Sequence, residues 1–383
     1  MTSHALTTSH LNDATTVVVK VGSALLVDEH TGAINAAWLH QLAADLALLT
    51  SRRCRCVVVS SGAIALGRTQ LKGRAKSNAR LKLEEKQAAA AIGQVQLASE
   101  WKEALNTHDL STAQILLSPD DTEQRRRHLN ARATITTLLD SGIIPVVNEN
   151  DTVATMEIRY GDNDRLAARV AQMISADVLI LLSDIDGLYS ADPRHHPDAR
   201  HIPQVTAIDD DLRAMAGPAN EDYASGGMVT KIEAGRIATQ AGCHMVICNG
   251  TAMNPISALI DGATATWFTA TAKPPQARKT WIAGGLNPVG TITLDDGAVN
   301  ALQSGKSLLA AGMIAVDGHF ERGDLVAVCD PQGQEIGRGL INYSAHDAAR
   351  IAGCNSGEIQ GILGYRGRDE VIHADDLVMT AST

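Results

Sequence analysis

Runs of β-branched residues alternate with longer amphipathic segments over the first 270 residues of the chain. The first two runs, Thr16–Val21 and Cys56–Ser60, are mainly apolar, and each leads into a glycine. Between them, leucine and alanine recur at helical spacing from Leu39 to Leu49. The alternation continues, and it predicts strands at Thr112–Leu117, Ile143–Val147, Val178–Ser183 and His244–Cys248 and helices at Glu84–Asn106, Glu123–Asp140, Asp162–Ser175 and Lys231–Ala241.

Continuous apolar strands separated by helices are typical of an α/β fold. In such a fold, a mainly parallel sheet is sandwiched by helices because both of its faces must be covered. Ligands bind beyond the carboxyl ends of such strands. We therefore expect the chemistry of this protein at the ends of its strands.

The pattern changes at residues 273–287, where Pro-Pro and Gly-Gly pairs indicate a linker. Short strands and closely spaced glycines follow, and they predict a small, mostly β domain at residues 288–376. Residues 1–13 are small and polar, and we expect them to form a disordered tail. The main domain would then cover residues 14–272.

Composition limits the class of protein. Hydrophobic residues make up 45% of the chain and charged residues 20%, which is ordinary for a globular protein, and the net charge of −10 argues against a protein that mainly binds nucleic acid. No apolar run approaches the roughly 20 residues of a membrane span, and the first residues lack the apolar centre of a signal peptide. Six cysteines without a CxxC pair indicate reduced thiols, so we expect a cytoplasmic protein with no membrane partner.

Two of the strand ends carry polar residues beside glycine. Lys20 interrupts the run VVVKVG, and a lysine in a buried strand is unfavourable unless it is paired or binds an anion. The alternative is an edge strand with Lys20 in solvent. Ser60-Ser61-Gly62 follows the next strand and opens a helix, where backbone amides favour an anion. The alternative there is an ordinary N-cap.

Two further segments are rich in polar residues. Asn148–Asp151 and Gly161–Asp164 are clusters of Asn and Asp that suit an ammonium group and a divalent metal, although loop and cap chemistry would also explain them. Ser225–Lys231 is a glycine-containing loop with a lysine at the start of a helix, and it can supply amides and a cation to a nucleotide.

These segments, in this order, resemble the amino-acid kinase family. The matching stretches are VVVKVGSALL, VVSSGAIALGR, NENDTVAT, YGDNDRLAARVA, LLSDIDGLYSADPR and SGGMVTKIEAGRIA. In the tail, LDDGAVNAL, VDGHFERGDLV and NYSAHDAARIAG resemble a PUA domain. The resemblance covers residues 14–376, and it implies an amino-acid kinase fold over 14–272 with a PUA-like domain at 288–376.

The resemblance also implies an activity, the ATP-dependent phosphorylation of the γ-carboxylate of L-glutamate to L-glutamyl 5-phosphate, the first step of proline biosynthesis. ATP would be the co-substrate and would act with Mg²⁺. A kinase for acetylglutamate or aspartate is one alternative, which the PUA-like tail disfavours. An RNA-binding protein acting through that tail is another, but residues 295–383 carry 6 Lys and Arg against 13 Asp and Glu, a difference of −7.

Site residues carry over from the resemblance by position. Lys20, Asp164 and Lys231 are the implied catalytic residues. The implied glutamate-binding residues are Ser61, Asp151 and Asn163, with Asn148 as an addition. The implied nucleotide contacts are Lys20, Ser183, Asp184, Ser225, Gly226, Gly227, Met228, Val229, Thr230 and Lys231. No residue is assigned to the metal. The family further implies a homo-oligomer, a dimer or a tetramer, and proline as a candidate feedback inhibitor.

Overall fold

The computed structural model describes residues 3–28, 31–71, 81–153, 163–215, 227–274, 276–277 and 288–379. The chain divides into two compact units. The first comprises Met1–Glu123 and Ala131–Pro274, and the second comprises Gln124–Asn130 and Pro275–Thr383. The division after Pro274 falls within the predicted linker, whose residues 278–287 lie outside the described part of the chain.

Eight strands of the first unit form one sheet in the part of the chain that the structure describes. Their order across the sheet is β3-β4-β2-β1-β5-β9-β10-β8. The strands are β1 (Thr16–Val21), β2 (Arg55–Ser60), β3 (Thr112–Leu117), β4 (Ile144–Glu149), β5 (Val178–Ser183), β8 (Gln204–Val205), β9 (His244–Asn249) and β10 (Ala265–Phe268), and a separate pair is formed by β6 (Leu188–Tyr189) and β7 (His201–Ile202).

Most neighbours in this sheet are parallel, as the apolar runs predict. The parallel pairs include β1 with β2 and β5, β4 with β2 and β3, and β5 with β9. The exception is β10, which runs antiparallel to β9. The predicted α/β class is confirmed, and the carboxyl ends of β1, β2, β4 and β5 lie along one edge of the sheet.

Alternation along the central strand β1 determines where its lysine lies. Val17, Val19 and Val21 are buried in one hydrophobic cluster and Val18 in another, on the opposite face of the sheet. Since side chains alternate between the faces, Lys20 lies on the same face as Val18. The sequence alternative of a solvent-exposed edge strand is wrong, because β1 pairs with a strand on each side.

Helices cover both faces of the sheet. Residues of α3 and α5 pack with Val17, and residues of α7, α8 and α10 pack with Val18. The helices of the first unit are α1 (Ser3–Asn12), α2 (Ser23–Leu26), α3 (Ala36–Ser51), α4 (Ala63–Arg68), α5 (Leu83–Asn106), α6 (Pro119–Glu123), α7 (Arg125–Asp140, which begins in the second unit), α8 (Asn163–Ile174), α9 (Asp210–Met215), α10 (Met228–Gln240) and α11 (Pro255–Ile260).

The expectation of a disordered tail at residues 1–13 is wrong for residues 3–12, which form α1. Leu6 and Leu11 are buried in the same cluster as Val17. The polar side chains between them find partners: the Thr7 hydroxyl accepts from the indole of Trp267 at 3.1 Å. The ring of His10 stacks on that of His244 with centroids 3.9 Å apart. The polar composition of residues 1–13 therefore gave no indication that α1 packs against the hydrophobic core.

The second unit is mostly β, as predicted. Its five-stranded sheet has the order β13-β11-β14-β15-β17, and β12 pairs with β16. The strands are β11 (Gly290–Leu294), β12 (Leu308–Leu309), β13 (Met313–Gly318), β14 (Leu325–Cys329), β15 (Glu335–Leu340), β16 (Glu370–Ile372) and β17 (Leu377–Met379), and the helices are α12 (Asp296–Gln303), α13 (Ala345–Ile351) and α14 (Ile359–Leu363).

Within the described ranges of the whole chain, every helix is too short or too polar to span a bilayer.

Candidate active site

A buried ion-pair cluster lies at the carboxyl end of β1. Lys20, near the end of β1, is only 6% exposed, and Asp164, in the first turn of α8, is fully buried. The Lys20 ammonium lies 2.5 Å from Oδ1 of Asp164. Lys231, in the first turn of α10, donates to Oδ2 of the same carboxylate at 2.9 Å. We call these three residues the charge cluster.

Opposing influences set the protonation state of the carboxylate in the charge cluster. Burial, the largest influence, raises the pKa of Asp164, but the charges of Lys20 and Lys231 outweigh it and hold this pKa at about 2. Asp164 is therefore an anion at neutral pH. Two ammonium groups around one carboxylate leave the cluster with a net charge of +1, which favours an anion beside it.

A second, uncharged set of side chains adjoins the charge cluster. Asn163 directly precedes Asp164, and its Nδ2 donates to the Ser61 hydroxyl at 2.7 Å, to the Ser60 carbonyl at 3.1 Å and to Oδ1 of Asn148 at 3.0 Å. Asn148 donates in turn to Oε1 of Gln94 at 2.8 Å. We call Asn163, Ser61, Asn148 and Gln94 the amide network.

The amide network joins three elements at one edge of the sheet. Asn148 lies near the end of β4, and Ser61 lies in the turn after β2. That turn requires Gly62, whose φ of +114° is a left-handed value that a larger residue rarely adopts. Gly62 is the N-cap of α4, and no side chain caps that helix, so the alternative of an ordinary serine cap is wrong. The Ser61 hydroxyl instead accepts a hydrogen bond from Asn163.

The other predicted substrate residue, Asp151, lies in the turn that follows β4 and is half-buried. Ser183 is buried at the end of β5, where its hydroxyl donates to Asp184 at 3.1 Å. At the other predicted nucleotide segment, Gly227 is the N-cap of α10, followed by Met228, Val229 and Thr230 in its first turn. Ser225, Gly226, Gly161 and Asp162 lie outside the described residues.

The structure therefore brings Lys20, Asp164 and Lys231 together, and it brings Ser61 and Asn163 together beside them. The functional roles of these residues stay predictions. Sequence reasoning missed Gln94, because a glutamine on an amphipathic helix gives no signal of a partner across the sheet.

The geometry suits transfer between two anions. A net positive, buried cluster can stabilise charge that develops on a phosphoryl group, and a preorganised cluster need not reorganise during reaction. Neutral amides and a hydroxyl close by can hold a second polar molecule by directed hydrogen bonds.

Comparisons with known proteins show which family the chain resembles. Residues 15–249 match the model of the amino acid kinase family, and residues 290–363 match that of the PUA domain. A glutamate 5-kinase from Paramagnetospirillum magneticum is 56% identical over 371 residues, which are 97% of this chain and 99% of that relative. A glutamate 5-kinase from a Bradyrhizobium species is 58% identical over 363 residues, 95% of each chain. A crystal structure of UMP kinase from Ureaplasma parvum matches 66% of this chain and 97% of its own with a TM-score of 0.47 and 13% identity.

Proposed function

This chain belongs to the amino acid kinase family, and we propose that it phosphorylates the γ-carboxylate of L-glutamate with ATP, forming L-glutamyl 5-phosphate at the start of proline biosynthesis. The observation that carries the proposal is the charge cluster beside the amide network at one edge of the sheet. Relatives named glutamate 5-kinase that match nearly the whole chain support the choice of substrate.

In the proposed reaction, an oxygen of the glutamate side chain attacks the γ-phosphorus of ATP. A P–O bond forms to that oxygen, the bond to the β-phosphate oxygen breaks, and its electron pair leaves with ADP. The acceptor carboxyl group, with an ordinary pKa of about 4.3, is already ionised at neutral pH, so the reaction needs no general base.

The principal barrier is repulsion between the carboxylate and the phosphates. The ammonium groups of Lys20 and Lys231 lie 2.5 and 2.9 Å from the two oxygens of one carboxylate. We assign to both lysines the stabilisation of the transferring phosphoryl group. Asp164 orients them, because each ammonium group contacts one of its two oxygens.

On the acceptor side, we assign glutamate binding to Ser61, Asn163 and Asp151, with Asn148 as a further contact. Asp151, a carboxylate in the turn after β4, would hold the α-ammonium group of the substrate. We assign the nucleotide to Ser183, Asp184 and the segment Ser225–Lys231, of which residues 227–231 are described.

We also propose that Mg²⁺ accompanies ATP. The Mg²⁺ ion would neutralise part of the charge of the phosphates, and the phosphate oxygens would be its main ligands. We assign it no side chain of this protein, since both oxygens of Asp164 contact ammonium groups.

The test is turnover by purified protein with ATP and Mg²⁺ across glutamate, acetylglutamate and aspartate. We expect ADP release that depends on glutamate, and trapping of the acyl phosphate by hydroxylamine as a hydroxamate. Turnover with acetylglutamate or aspartate in preference to glutamate would overturn the substrate assignment. The relatives do not favour those kinases, nor the RNA-binding alternative.

Three further properties belong to the proposal: a homo-oligomer (dimer or tetramer), inhibition by proline, and a cytoplasmic location. Light scattering on the eluted protein measures the first, and turnover at increasing proline concentration measures the second. Fractionation of the source cells measures the third.

A further inference from the structure

Two of the side-chain amides in the amide network have orientations that backbone groups fix. The Glu149 N–H can only donate, and it donates to Oδ1 of Asn148 at 2.8 Å. The Ser60 carbonyl can only accept, and it accepts from Nδ2 of Asn163 at 3.1 Å. Asn148 must therefore turn its own Nδ2 toward Gln94, where an acceptor is required.

Gln94 comes from the face of the sheet opposite to α8. Ile144 and Val146 of β4 pack in the same cluster as residues of α5, and Asn148 continues that alternation. Asn148 is only 2% exposed, so it lies buried between Gln94 on one side and Asn163 on the other. One asparagine thus links helices from both faces of the sheet.

Helix α5 is also held against the turn that carries Ser61. A Cβ atom on Gly93 would lie 1.8 Å from the carbonyl oxygen of Ala63, and one on Gly67 would lie 1.9 Å from that of Ala89. The backbones of α4 and α5 therefore touch at this crossing, and Ala63 begins α4 two residues after Ser61. Gln94 is the next residue of α5, so its distance from the Ser61 turn is fixed by backbone contact.

A second side chain of α5 reaches the same turn. Trp101 is seven residues from Gln94, on the same face of the helix, and its indole donates to the Ser60 hydroxyl at 2.9 Å. The Ser60 hydroxyl in turn donates to the Ser61 carbonyl at 3.2 Å. Helix α5 therefore contacts the end of β2 through Trp101 and the end of β4 through Gln94.

We propose that Gln94 is a positioning residue for the acceptor substrate. It holds Asn148, and through Asn148 it holds Asn163 and Ser61, in the arrangement that binds glutamate. This rests on the proposed function. Gln94 does not touch the charge cluster by any hydrogen bond of the described structure, so its effect falls on the acceptor and not on ATP.

The test compares Gln94→Met with Gln96→Met. Methionine keeps the length of the side chain and removes the acceptor, which leaves the buried Nδ2 of Asn148 without its partner. Gln96 lies on the same helix, and its carbonyl accepts from Gln70 at 3.3 Å, away from the network. We expect the KM for glutamate to rise about tenfold in Gln94→Met, with the KM for ATP and kcat within about twofold of the wild type, and no change in Gln96→Met.

A double mutant separates positioning from general stability. If Gln94 acts through Asn148, Gln94→Met has no further effect on the KM for glutamate in an Asn148→Ala background. Gln94→Ala, which adds no atoms near the helix crossing, is measured in parallel and replaces Gln94→Met if the latter does not fold.

A glutamate KM within about twofold of the wild type in the folded Gln94 variant overturns the positioning role, as does an equal rise in both KM values. Additive effects in the double mutant overturn the route through Asn148. Absence of glutamate turnover in the wild type would instead contradict the proposed function, so the two failures are distinguishable.

Discussion

Asn163 and Asp164 are neighbours at the start of α8, yet they belong to two regions held together by different forces. Asp164 anchors the charge cluster, in which two ammonium groups share one buried carboxylate. Asn163 anchors the amide network, in which every contact is a hydrogen bond between uncharged groups.

The charge cluster and the amide network differ in the range over which their interactions act and in how strongly those interactions depend on direction. Charges in a buried site act over several ångströms and in all directions, so the charge cluster can stabilise a phosphoryl group as it moves between donor and acceptor. Hydrogen bonds between amides require a narrow geometry, so the amide network can fix one molecule in one position. We therefore expect damage to the charge cluster to lower kcat, and damage to the amide network to raise the KM for glutamate.

The largest expected effect is on kcat. Lys20→Ala and Lys231→Ala each remove one ammonium group of the charge cluster, and kcat should fall by about 10²–10³-fold, the scale of losing one charge-stabilising group. Steady-state turnover with glutamate and ATP measures this. Lys102→Ala on the exposed side of α5 is the matched control and should be unchanged. Normal kcat in either variant, with an intact circular dichroism spectrum, would remove that lysine from the mechanism.

The charge cluster should also make stability depend on pH. The pKa of Asp164 is lowered from 3.8 to about 2, so its contribution is present above about pH 4 and is lost as the pH falls through about 2. The lowering of this pKa corresponds to roughly 2 kcal/mol in the free energy of unfolding. Urea unfolding of the wild type and Asp164→Asn measures it, since the variant lacks this titration. The gap in unfolding free energy between the two proteins should narrow toward about pH 2, and a constant gap would contradict the assigned pKa.

A smaller effect is expected at the substrate side. Asp151→Asn keeps the shape of the side chain and removes its charge, so the KM for glutamate should rise by about tenfold while the KM for ATP changes little. Asp140→Asn, an exposed acid at the end of α7, serves as the control. A rise in the KM for ATP would instead place Asp151 at the nucleotide or the metal.

The smallest expected effect on chemistry is that of removing the part of the second unit that follows Ala277. Every described residue of the charge cluster and the amide network lies in the first unit. A chain ending near Ala277 should therefore keep its turnover per folded molecule within a fewfold of the wild type. Active-site titration combined with ATP turnover measures this. A folded, ATP-binding truncation without glutamate turnover would mean that the tail completes the site.

The same truncation should be less stable than the full chain. Leu129 belongs with the second unit and is buried, and a Cβ atom on Gly323 would lie 2.9 Å from its Cδ1. Loss of Gly323 and its neighbours uncovers Leu129, and exposing one leucine lowers the free energy of unfolding by about 1.5–3 kcal/mol.

The sequence predicted those features that depend on local pattern. A lysine in a run of valines is unfavourable unless it is paired, and Lys20 is paired with a buried carboxylate. The glycine turn after β2 follows from the backbone freedom of glycine, since Gly62 adopts a positive φ. Gly22 after β1 has a φ of −74°, which other residues also adopt. The fold class was predictable for the same reason, since strand and helix periods are properties of short segments.

Features that depend on long-range packing were not predictable. The sequence pattern around Gln94 is typical of a glutamine on a helix surface. The contact between α4 and α5, which the sequence does not show, brings Gln94 to Asn148. Residues 1–13 read as a polar tail, because the partners of Thr7 and His10 lie on distant strands. The grouping of Gln124–Asn130 with the second unit likewise follows from contacts far along the chain.

The N-terminal helix has a consequence for the order in which the protein is made. Thr7 bonds to Trp267, a partner 260 residues away in the chain. At roughly 5–20 residues per second, the ribosome needs on the order of 10–50 s after making α1 to deliver that partner. A ten-residue helix is marginal in water by itself. Helix α1 leaves the ribosome long before Trp267 does, and it is therefore among the last parts of the first unit to reach its native place. Its leucines stay available to chaperones for most of the synthesis of that unit.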